Sequence, residues 1–318
     1  MTDATTGPAI LVAGPTASGK SALALALARA LDGVVINADS MQVYRELAIL
    51  SARPDAATLA AAPHRLYGVL SAREACSAGR WLEMAEAEIA AARAANKRPI
   101  LVGGTGLYFK ALIEGLASMP EIPEAVRARA RALCDEIGPA EFHRVLLARD
   151  PAAAARIAPA DRQRMIRAYE VIEATGRSLL AWQADGAEKA PDRAFAAILL
   201  DPPRDALYAA IERRVDKMMA AGALEEVRAF RAMALEPHLP ASRAVGVVEL
   251  GRHLAGEIPL EDAVAQMKQA TRRLAKRQIT WFRHQSLGSR LLTLPEMNFA
   301  QLSESPDQRI FNFIRHPC

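Results

Sequence analysis

Residues 14–21 read Gly-Pro-Thr-Ala-Ser-Gly-Lys-Ser, which matches the phosphate-binding pattern G-x-x-x-x-G-K-[ST] in full. An apolar run, 9–13, precedes the loop and an alanine- and leucine-rich run, 22–28, follows it, as expected between a strand and a helix. In such a loop backbone N–H groups face one anion, Lys20 reaches the outer phosphates and Ser21 ligates Mg²⁺. The stretch therefore predicts a di- or triphosphate site built from Gly14, Pro15, Thr16, Ala17, Ser18, Gly19, Lys20 and Ser21.

Three later apolar runs have the same organisation as the first. Each ends in an acid or a glycine: 34–36 leads to Asp39, 99–102 to Gly103-Gly104-Thr105-Gly106, and 196–200 to Asp201. A strand, a residue that can face a ligand and a helix follow one another each time. This repeated order indicates a parallel sheet with helices on both faces. The predicted fold class is α/β, P-loop NTPase-like, and the chain is expected to be helical again from residue 205 onward.

The middle of the chain has a different texture. Residues 120–191 are rich in alanine and arginine, have helical spacing and no β-branched run, and are broken at Gly138-Pro139, Asp150-Pro151 and Gly176. We predict an inserted all-helical subdomain here. Residues 1–119 and 192–318 are then the catalytic core with its C-terminal helices.

Composition limits the class of protein. The chain has 318 residues, 51% of them hydrophobic, a net charge of +4, and no pattern of a signal peptide or membrane span. These values predict a cytoplasmic protein without a membrane partner, and a monomer is the default. The three cysteines, Cys76, Cys134 and Cys318, have unrelated spacings, which argues against disulfides and zinc.

Positive charge is concentrated near the C-terminus. Residues 264–290 contain no acid and the following cations: Lys268, Arg272, Arg273, Lys276, Arg277, Arg283 and Arg290. The run ends in Trp281-Phe282, and cations beside aromatic rings suit a phosphate backbone or a stacked base. A solvated helical face remains the other interpretation.

Asp39 is the candidate general base. It lies 19 residues after Lys20, about one helix and one strand later, so its carboxylate is expected near the loop. The alternative is a helix cap. Thr105, among three glycines, either directs its hydroxyl at a ligand or occupies an ordinary tight turn.

Three arginines remain open from spacing alone. Arg213 and Arg214 are adjacent in a helix and face directions about 100° apart, so only one of them can enter a given site. Arg243 precedes another helix and either holds a phosphate or is solvated.

The motifs together resemble the bacterial tRNA dimethylallyltransferase family. The resemblance covers roughly residues 9–285 and rests on the stretches Gly-Pro-Thr-Ala-Ser-Gly-Lys-Ser (14–21), Asp-Ser-Met-Gln-Val-Tyr (39–44), Ala-Pro-His-Arg-Leu (62–66), Gly-Gly-Thr-Gly-Leu-Tyr (103–108) and Leu-Ala-Lys-Arg-Gln-Ile-Thr-Trp-Phe-Arg (274–283). It implies transfer of a dimethylallyl group from dimethylallyl diphosphate to the exocyclic amine of adenosine 37 in the anticodon stem-loop of tRNA.

The resemblance also implies roles for residues. Asp39 accepts the amine proton, Thr105 and Arg214 orient the diphosphate, and the preference for Arg214 over Arg213 rests on the resemblance alone. The residues it assigns to tRNA binding are Asp39, Ser40, Met41, Gln42, Gln163, Arg164, Met165, Ile166 and Arg167, to which we add Arg243.

The chain departs from the family pattern at two places. Leu50-Ser51-Ala52-Arg53-Pro54 stands where the family usually has Gly-Thr-Ala-Lys-Pro, and Val247-Val248 replaces an aromatic and basic pair. These departures predict altered tRNA affinity with the chemistry retained.

Three other functions compete with this reading. A small-molecule P-loop kinase would use the same loop, with Asp39 as base for a substrate hydroxyl, but leaves the basic run unexplained. An isopentenyltransferase acting on free adenine nucleotides would not need the insertion. A nucleotide-gated RNA-binding module would bind without turnover.

Overall fold

The computed structural model describes residues 7–117, 119–185, 195–288, 290–295 and 308–315. In this part of the chain six strands form one parallel sheet in the order β3-β2-β4-β1-β5-β6. The strands are β1 Ala9–Ala13, β2 Gly33–Asn37, β3 His64–Arg65, β4 Arg98–Gly103, β5 Phe195–Leu200 and β6 Leu291–Leu294. The four strands expected from the sequence are confirmed as β1, β2, β4 and β5.

Helices follow the strands in the expected alternation. They are α1 Lys20–Ala30, α2 Ala56–Ala61, α3 Ala78–Ala94, α4 Gly106–Glu114, α5 Glu124–Arg149, α6 Pro151–Ala154, α7 Arg162–Thr175, α8 Leu179–Ala184, α9 Arg204–Ala220, α10 Ala223–Ala232, α11 Val247–Leu254, α12 Leu260–His284 and α13 Gln308–Arg315, with a 3₁₀ turn at Pro240–Arg243. None of the helices in the described ranges combines the length and apolar character that a membrane crossing requires.

β1 lies at the centre of the sheet and is fully buried. It pairs in parallel with β4 and with β5, so Val12 is flanked by Val102 and Ile198. Alternate residues of β1 enter two separate apolar clusters, one on each face of the sheet. α1 and α13 pack on one face, and α3, α4, α10 and α11 contribute to the cluster on the other, which confirms helices on both faces.

Parallel pairing brings the loops that follow the strands to one edge. The phosphate-loop pattern follows β1, Asp39 follows β2, Gly104-Thr105 follow β4 and Asp201 follows β5. This carboxyl edge is where open α/β sheets bind their ligands.

The chain divides into two compact units. One comprises Met1–Ile113 with Arg193–Cys318, and the other is Glu114–Asp192. The described part of the second unit contains α5 to α8 around a small core that includes Phe142, Leu146 and Met165. Its predicted breaks are confirmed, because Gly138 is non-helical with φ 78°, Asp150 caps α6 and Gly176 ends α7. That this insertion contacts tRNA stays a prediction.

β6 corrects the expectation of a purely helical C-terminal region. Leu291–Leu294 pairs with β5 at the edge of the sheet, with Leu294 buried and Leu291 exposed. A segment of four residues carries too little periodicity to be distinguished from a loop. Cys76 and Cys134 are free thiols, and Cys318 lies outside the described residues.

Candidate active site

The loop after β1 has the backbone shape of an anion cradle. Gly14 has φ 149°, Ala17 has φ 63°, and Gly19, with φ 90°, precedes the first residue of α1. Only glycine fits at position 14, because a Cβ there would lie 2.6 Å from the carbonyl oxygen of Leu200. The Ser18 hydroxyl is buried and finds no hydrogen-bond partner among the described residues. A phosphate oxygen in the cradle would supply one.

Lys20 is folded back over this loop. Its Nζ donates to the carbonyl of Pro15 at 2.5 Å. The pKa of Lys20 is lowered to about 7, chiefly by burial; the charge of Asp39 opposes this effect and the charge of Arg214 adds to it. A bound diphosphate would restore the charge of this amine.

Gln278 on α12 connects the phosphate loop to the loop after β4. Its Oε1 accepts from Thr16 N at 2.8 Å, and its Nε2 donates to Gly104 O at 2.9 Å. A Cβ at position 104 would lie 2.2 Å from Gln278 Nε2, so a larger residue there would displace the Gln278 amide. The sequence assigned Gln278 no role, and its only signal was its place within the matching run 274–283.

Asp39 is held in a buried polar network. Asn37, fully buried, accepts from Asp39 N at 2.8 Å through Oδ1 and donates through Nδ2 to Asp39 O at 3.0 Å and Leu66 O at 3.1 Å. The Asp39 Oδ1 atom accepts from Met41 N at 2.9 Å. The backbone on both sides of the carboxylate is thereby fixed, and Asp39 is not at the start of a helix. Sequence reasoning missed Asn37, although it lies two residues from the candidate base.

Thr105 meets Ser40 beside this network. Its Oγ1 accepts from Ser40 N at 3.0 Å and donates to Ser40 Oγ at 3.3 Å, while Thr105 N donates to Ala38 O at 3.3 Å. The threonine therefore ties the end of β4 to the segment that carries Asp39.

The structure distinguishes the two adjacent arginines. Arg213 is exposed, whereas Arg214 is partly buried and donates from Nη2 to Ser51 O at 3.2 Å. Burial lowers the pKa of Arg214, and the charge of Asp39 counteracts that effect. The charges of Asp39 and Arg214 also shift the pKa of Lys20, so one carboxylate and two basic side chains lie within a small region.

Tyr67 lies close to Asp39 in the site. Burial raises the pKa of its phenol, and the negative charge of Asp39 raises it further. The phenol therefore stays protonated and can act as a neutral hydrogen-bond donor or acceptor beside the carboxylate.

A small cavity opens between the phosphate loop and the C-terminal helices. It measures about 40 Å³, and its walls are Thr16, Leu50, Arg214, Val215, Met218, Val245, Met267, Thr271 and Leu274. Thr16, Arg214 and Thr271 are its polar lining residues, and the other lining residues are apolar.

The donor set suits a metal bound through a phosphate ligand. Ser21 is exposed in the first turn of α1, next to Lys20. No group of three or more His, Cys, Asp or Glu side chains that could hold a metal ion occurs in the described ranges. Magnesium is commonly held by one or two protein oxygens together with substrate phosphates, and the Ser21 hydroxyl fits that arrangement.

The predicted RNA contacts of the first unit have different surroundings. Ser40 and Met41 are partly exposed, and Arg243 is exposed with its Nε donating to Pro237 O at 3.4 Å. Gln42 instead is buried, and its Nε2 donates to Ser51 O at 2.9 Å and Ala52 O at 3.2 Å. Its amide thus fixes the 51–52 backbone.

The predicted RNA contacts in the helical unit divide in the same way. Gln163 and Arg164 are exposed at the start of α7, and Ile166 and Arg167 are partly exposed. Met165 corrects the expectation of an uninterrupted contact stretch, because its side chain is fully buried against Phe142 and Leu146. Helical periodicity turns one residue of such a stretch inward.

The basic run on α12 is partly neutralised. Arg272 pairs with Glu212 at 2.5 Å, Lys268 with Asp216 at 2.7 Å, and Arg283 with Asp201 at 3.0 Å. In the described part of the chain, the exposed Arg273, Lys276 and Arg277 form no ion pair, and they share one face of the helix.

Comparisons with known proteins agree with one another. The family model described as IPP transferase matches residues 42–285. A tRNA dimethylallyltransferase of Rhodospirillum rubrum is 55% identical over 309 residues, which cover 96% of this chain and 94% of the relative.

Two solved structures resemble the fold. The full-length tRNA isopentenylpyrophosphate transferase of Bacillus halodurans has a TM-score of 0.68 and 32% identity, covering 97% of this chain and 96% of that one. A eukaryotic dimethylallyltransferase acting on tRNA has a TM-score of 0.80 at 24% identity, and the match covers 96% of this chain and 77% of that one. The second likeness concerns the fold alone.

Proposed function

The chain belongs to the IPP transferase family and is a tRNA-modifying prenyltransferase, and from this premise we propose that Asp39, Lys20 and Arg214 carry the transfer. The substrates are dimethylallyl diphosphate and the exocyclic amine of adenosine 37 in the anticodon stem-loop of tRNA. The observation that supports the proposal most is the convergence of one carboxylate and two cations beside the phosphate loop.

The diphosphate binds in the loop 14–21. Backbone N–H groups, the Ser18 hydroxyl and the Lys20 amine face it, and Arg214 adds a second positive charge. Gln278 keeps Thr16 in place by its bond to the Thr16 amide. These groups stabilise the negative charge that develops as diphosphate leaves.

Asp39 acts on the nucleophile. The adenine amine is weakly nucleophilic because its lone pair is delocalised into the ring, so its proton must be removed as attack proceeds. Met41 N orients the carboxylate through Oδ1, and we assign the amine proton to Oδ2. The bond between the amine nitrogen and C1 forms, the bond between C1 and oxygen breaks, and diphosphate departs with the electron pair.

Ser21 would hold Mg²⁺ together with diphosphate oxygens. The ion supplies positive charge to the leaving group when bound. In the protein, the requirement is only that the Ser21 hydroxyl stays exposed beside the loop.

Exposed cations and one exposed amide provide the RNA contacts. Arg273, Lys276 and Arg277 on α12, and Gln163 and Arg164 on α7, suit the phosphates of the anticodon stem. The target adenine must leave its stack to reach Asp39, which a single-stranded loop permits at low cost. A monomer acting in the cytoplasm is consistent with this role.

The test is product detection. Protein, Mg²⁺, dimethylallyl diphosphate and unmodified tRNA are incubated, the RNA is digested, and isopentenyladenosine is sought by mass spectrometry. We expect product from the wild type, at least a hundredfold less from Arg214→Ala, and a wild-type yield from the matched control Arg213→Ala.

Two results would contradict the proposal. ATP turnover with a small acceptor and no modified RNA would assign the site to a kinase. Equal loss in Arg213→Ala and Arg214→Ala would mean that the partly buried arginine has no special role.

A further inference from the structure

The cavity beside the phosphate loop has one wall residue that sets its depth. Thr16 of the phosphate loop and Arg214 are among its polar lining residues, and Leu50 is part of its apolar wall. The four side-chain carbons of Leu50 occupy space in this wall that a smaller side chain would leave open.

Leu50 is held firmly in this position. Both carboxylate oxygens of Glu226 accept backbone N–H groups of this segment, from Ile49 at 2.7 Å and from Leu50 at 2.9 Å. The next carbonyl, that of Ser51, accepts from Arg214 and from Gln42. The wall is thus connected directly to the arginine that faces the diphosphate.

The far side of Leu50 packs closely against Gly246 and Met267. Its Cδ2 lies 2.5 Å from where a Cβ would stand on Gly246, whose φ is 96°, and Met267 fills the neighbouring space. The Leu50 side chain is therefore packed between the cavity and the start of α11, and only 8% of the residue is exposed.

We propose that Leu50 limits the allylic substrate to five carbons by closing the apolar end of this cavity. The inference rests on the proposed function and names its substrate class more narrowly. With diphosphate in the loop and C1 at the mouth, the remaining carbons enter between Leu50, Val215 and Met267.

The size of the cavity supports a short chain. A group the size of one water takes about 10–15 Å³ on the same measure, so about 40 Å³ holds three or four such groups. The dimethylallyl group has four carbons beyond C1, which fit. A geranyl group adds five more, which would collide with Leu50.

The experiment compares two allylic diphosphates on the same enzyme preparations. Prenylation of tRNA is measured with dimethylallyl and with geranyl diphosphate, and the ratio of the two kcat/KM values is taken, because this ratio does not depend on the folded fraction. We expect Leu50→Ala to raise the geranyl-to-dimethylallyl ratio at least tenfold. Leu50→Phe is expected to lower kcat/KM for dimethylallyl diphosphate at least tenfold without changing KM for tRNA.

Leu31→Ala is the matched control. Leu31 is also 8% exposed, but it packs on the opposite face of the sheet from Leu50. The Leu31→Ala variant should lose about as much stability as Leu50→Ala and leave the geranyl-to-dimethylallyl ratio unchanged. If Leu50→Ala does not fold, Leu50→Val serves with a smaller expected increase of about threefold.

Three other results would overturn either this inference or the proposed function. A ratio in Leu50→Ala within twofold of wild type would overturn the inference while the prenylation reaction stands. A raised KM for tRNA with an unchanged ratio would also overturn it, since the cavity would then serve the base. Absence of any prenylated tRNA from the wild type would overturn the proposed function itself.

Discussion

The phosphate loop and the Asp39 segment lie at the same edge of the sheet but are stabilised differently. The loop is shaped mainly by its own residues, with Lys20 and Ser18 N bonded to Pro15 O. Asp39 depends on groups far along the chain: Asn37 is fixed by Leu66 O and Trp81 Nε1, and Ser40 by Thr105. An anion cradle can be encoded locally, whereas the placement of the Asp39 carboxylate depends on the tertiary structure.

Removing the proposed base, Asp39, should have the largest effect. We expect Asp39→Ala and Asp39→Asn to lower kcat by about 10³-fold, because proton removal from the amine is lost. The asparagine variant keeps an oxygen that can accept from Met41 N. A loss of kcat in this variant therefore reports the loss of proton removal and not the loss of that hydrogen bond. Single-turnover prenylation measures the step, and binding of dimethylallyl diphosphate should be almost unchanged. A kcat within threefold of wild type would remove Asp39 from the reaction.

Removing the support of the base comes next. Asn37→Ala leaves Asp39 N and Leu66 O without partners, which costs about 2 kcal/mol of unfolding free energy. Misplacement of the carboxylate should lower kcat by about 10²-fold. Urea unfolding and kcat test both effects. Asn312→Ala, on the exposed face of α13, is the control. A stability loss without any kcat loss would contradict the positioning role.

The loop side should respond more weakly, because among the described residues Gln278 is the one distant side chain that hydrogen-bonds to the loop. Gln278→Ala removes the bonds to Thr16 N and Gly104 O and is expected to weaken binding of dimethylallyl diphosphate about tenfold, with kcat little changed. Calorimetric titration measures the affinity. Gln269→Ala on the exposed face of α12 should bind normally. An unaltered Kd in Gln278→Ala would show that the loop holds its shape alone.

The smallest effect concerns pH. Lys20 has a pKa of about 7 in the free site, and a bound diphosphate favours its charged form. Binding therefore takes up a proton above pH 7, and affinity should fall about fivefold between pH 7 and pH 8. Calorimetry in buffers of different ionisation enthalpy should detect the uptake at pH 8, and Lys20→Arg should lose it. An affinity that is flat over this interval would contradict the lowered pKa.

Much of the fold was accessible from sequence because its signals are local. Four strands, the breaks at Gly138, Asp150 and Gly176, and the loop at 14–21 each depend on a few neighbouring residues. β3 and β6 were missed because two- and four-residue strands carry almost no pattern. Asn37 and Gln278 were missed because each gains its role from partners that only the folded chain brings near.

The strand order also determines when each neighbour of β1 becomes available during translation. β1, which carries the phosphate loop, needs β4 on one side and β5 on the other, and β5 begins at Phe195, about 90 residues after β4 ends at Gly103. At about 5–20 residues per second, a ribosome needs about 5–20 s to make the intervening helical unit. During that interval the edge of β1 that β5 later covers has no strand beside it.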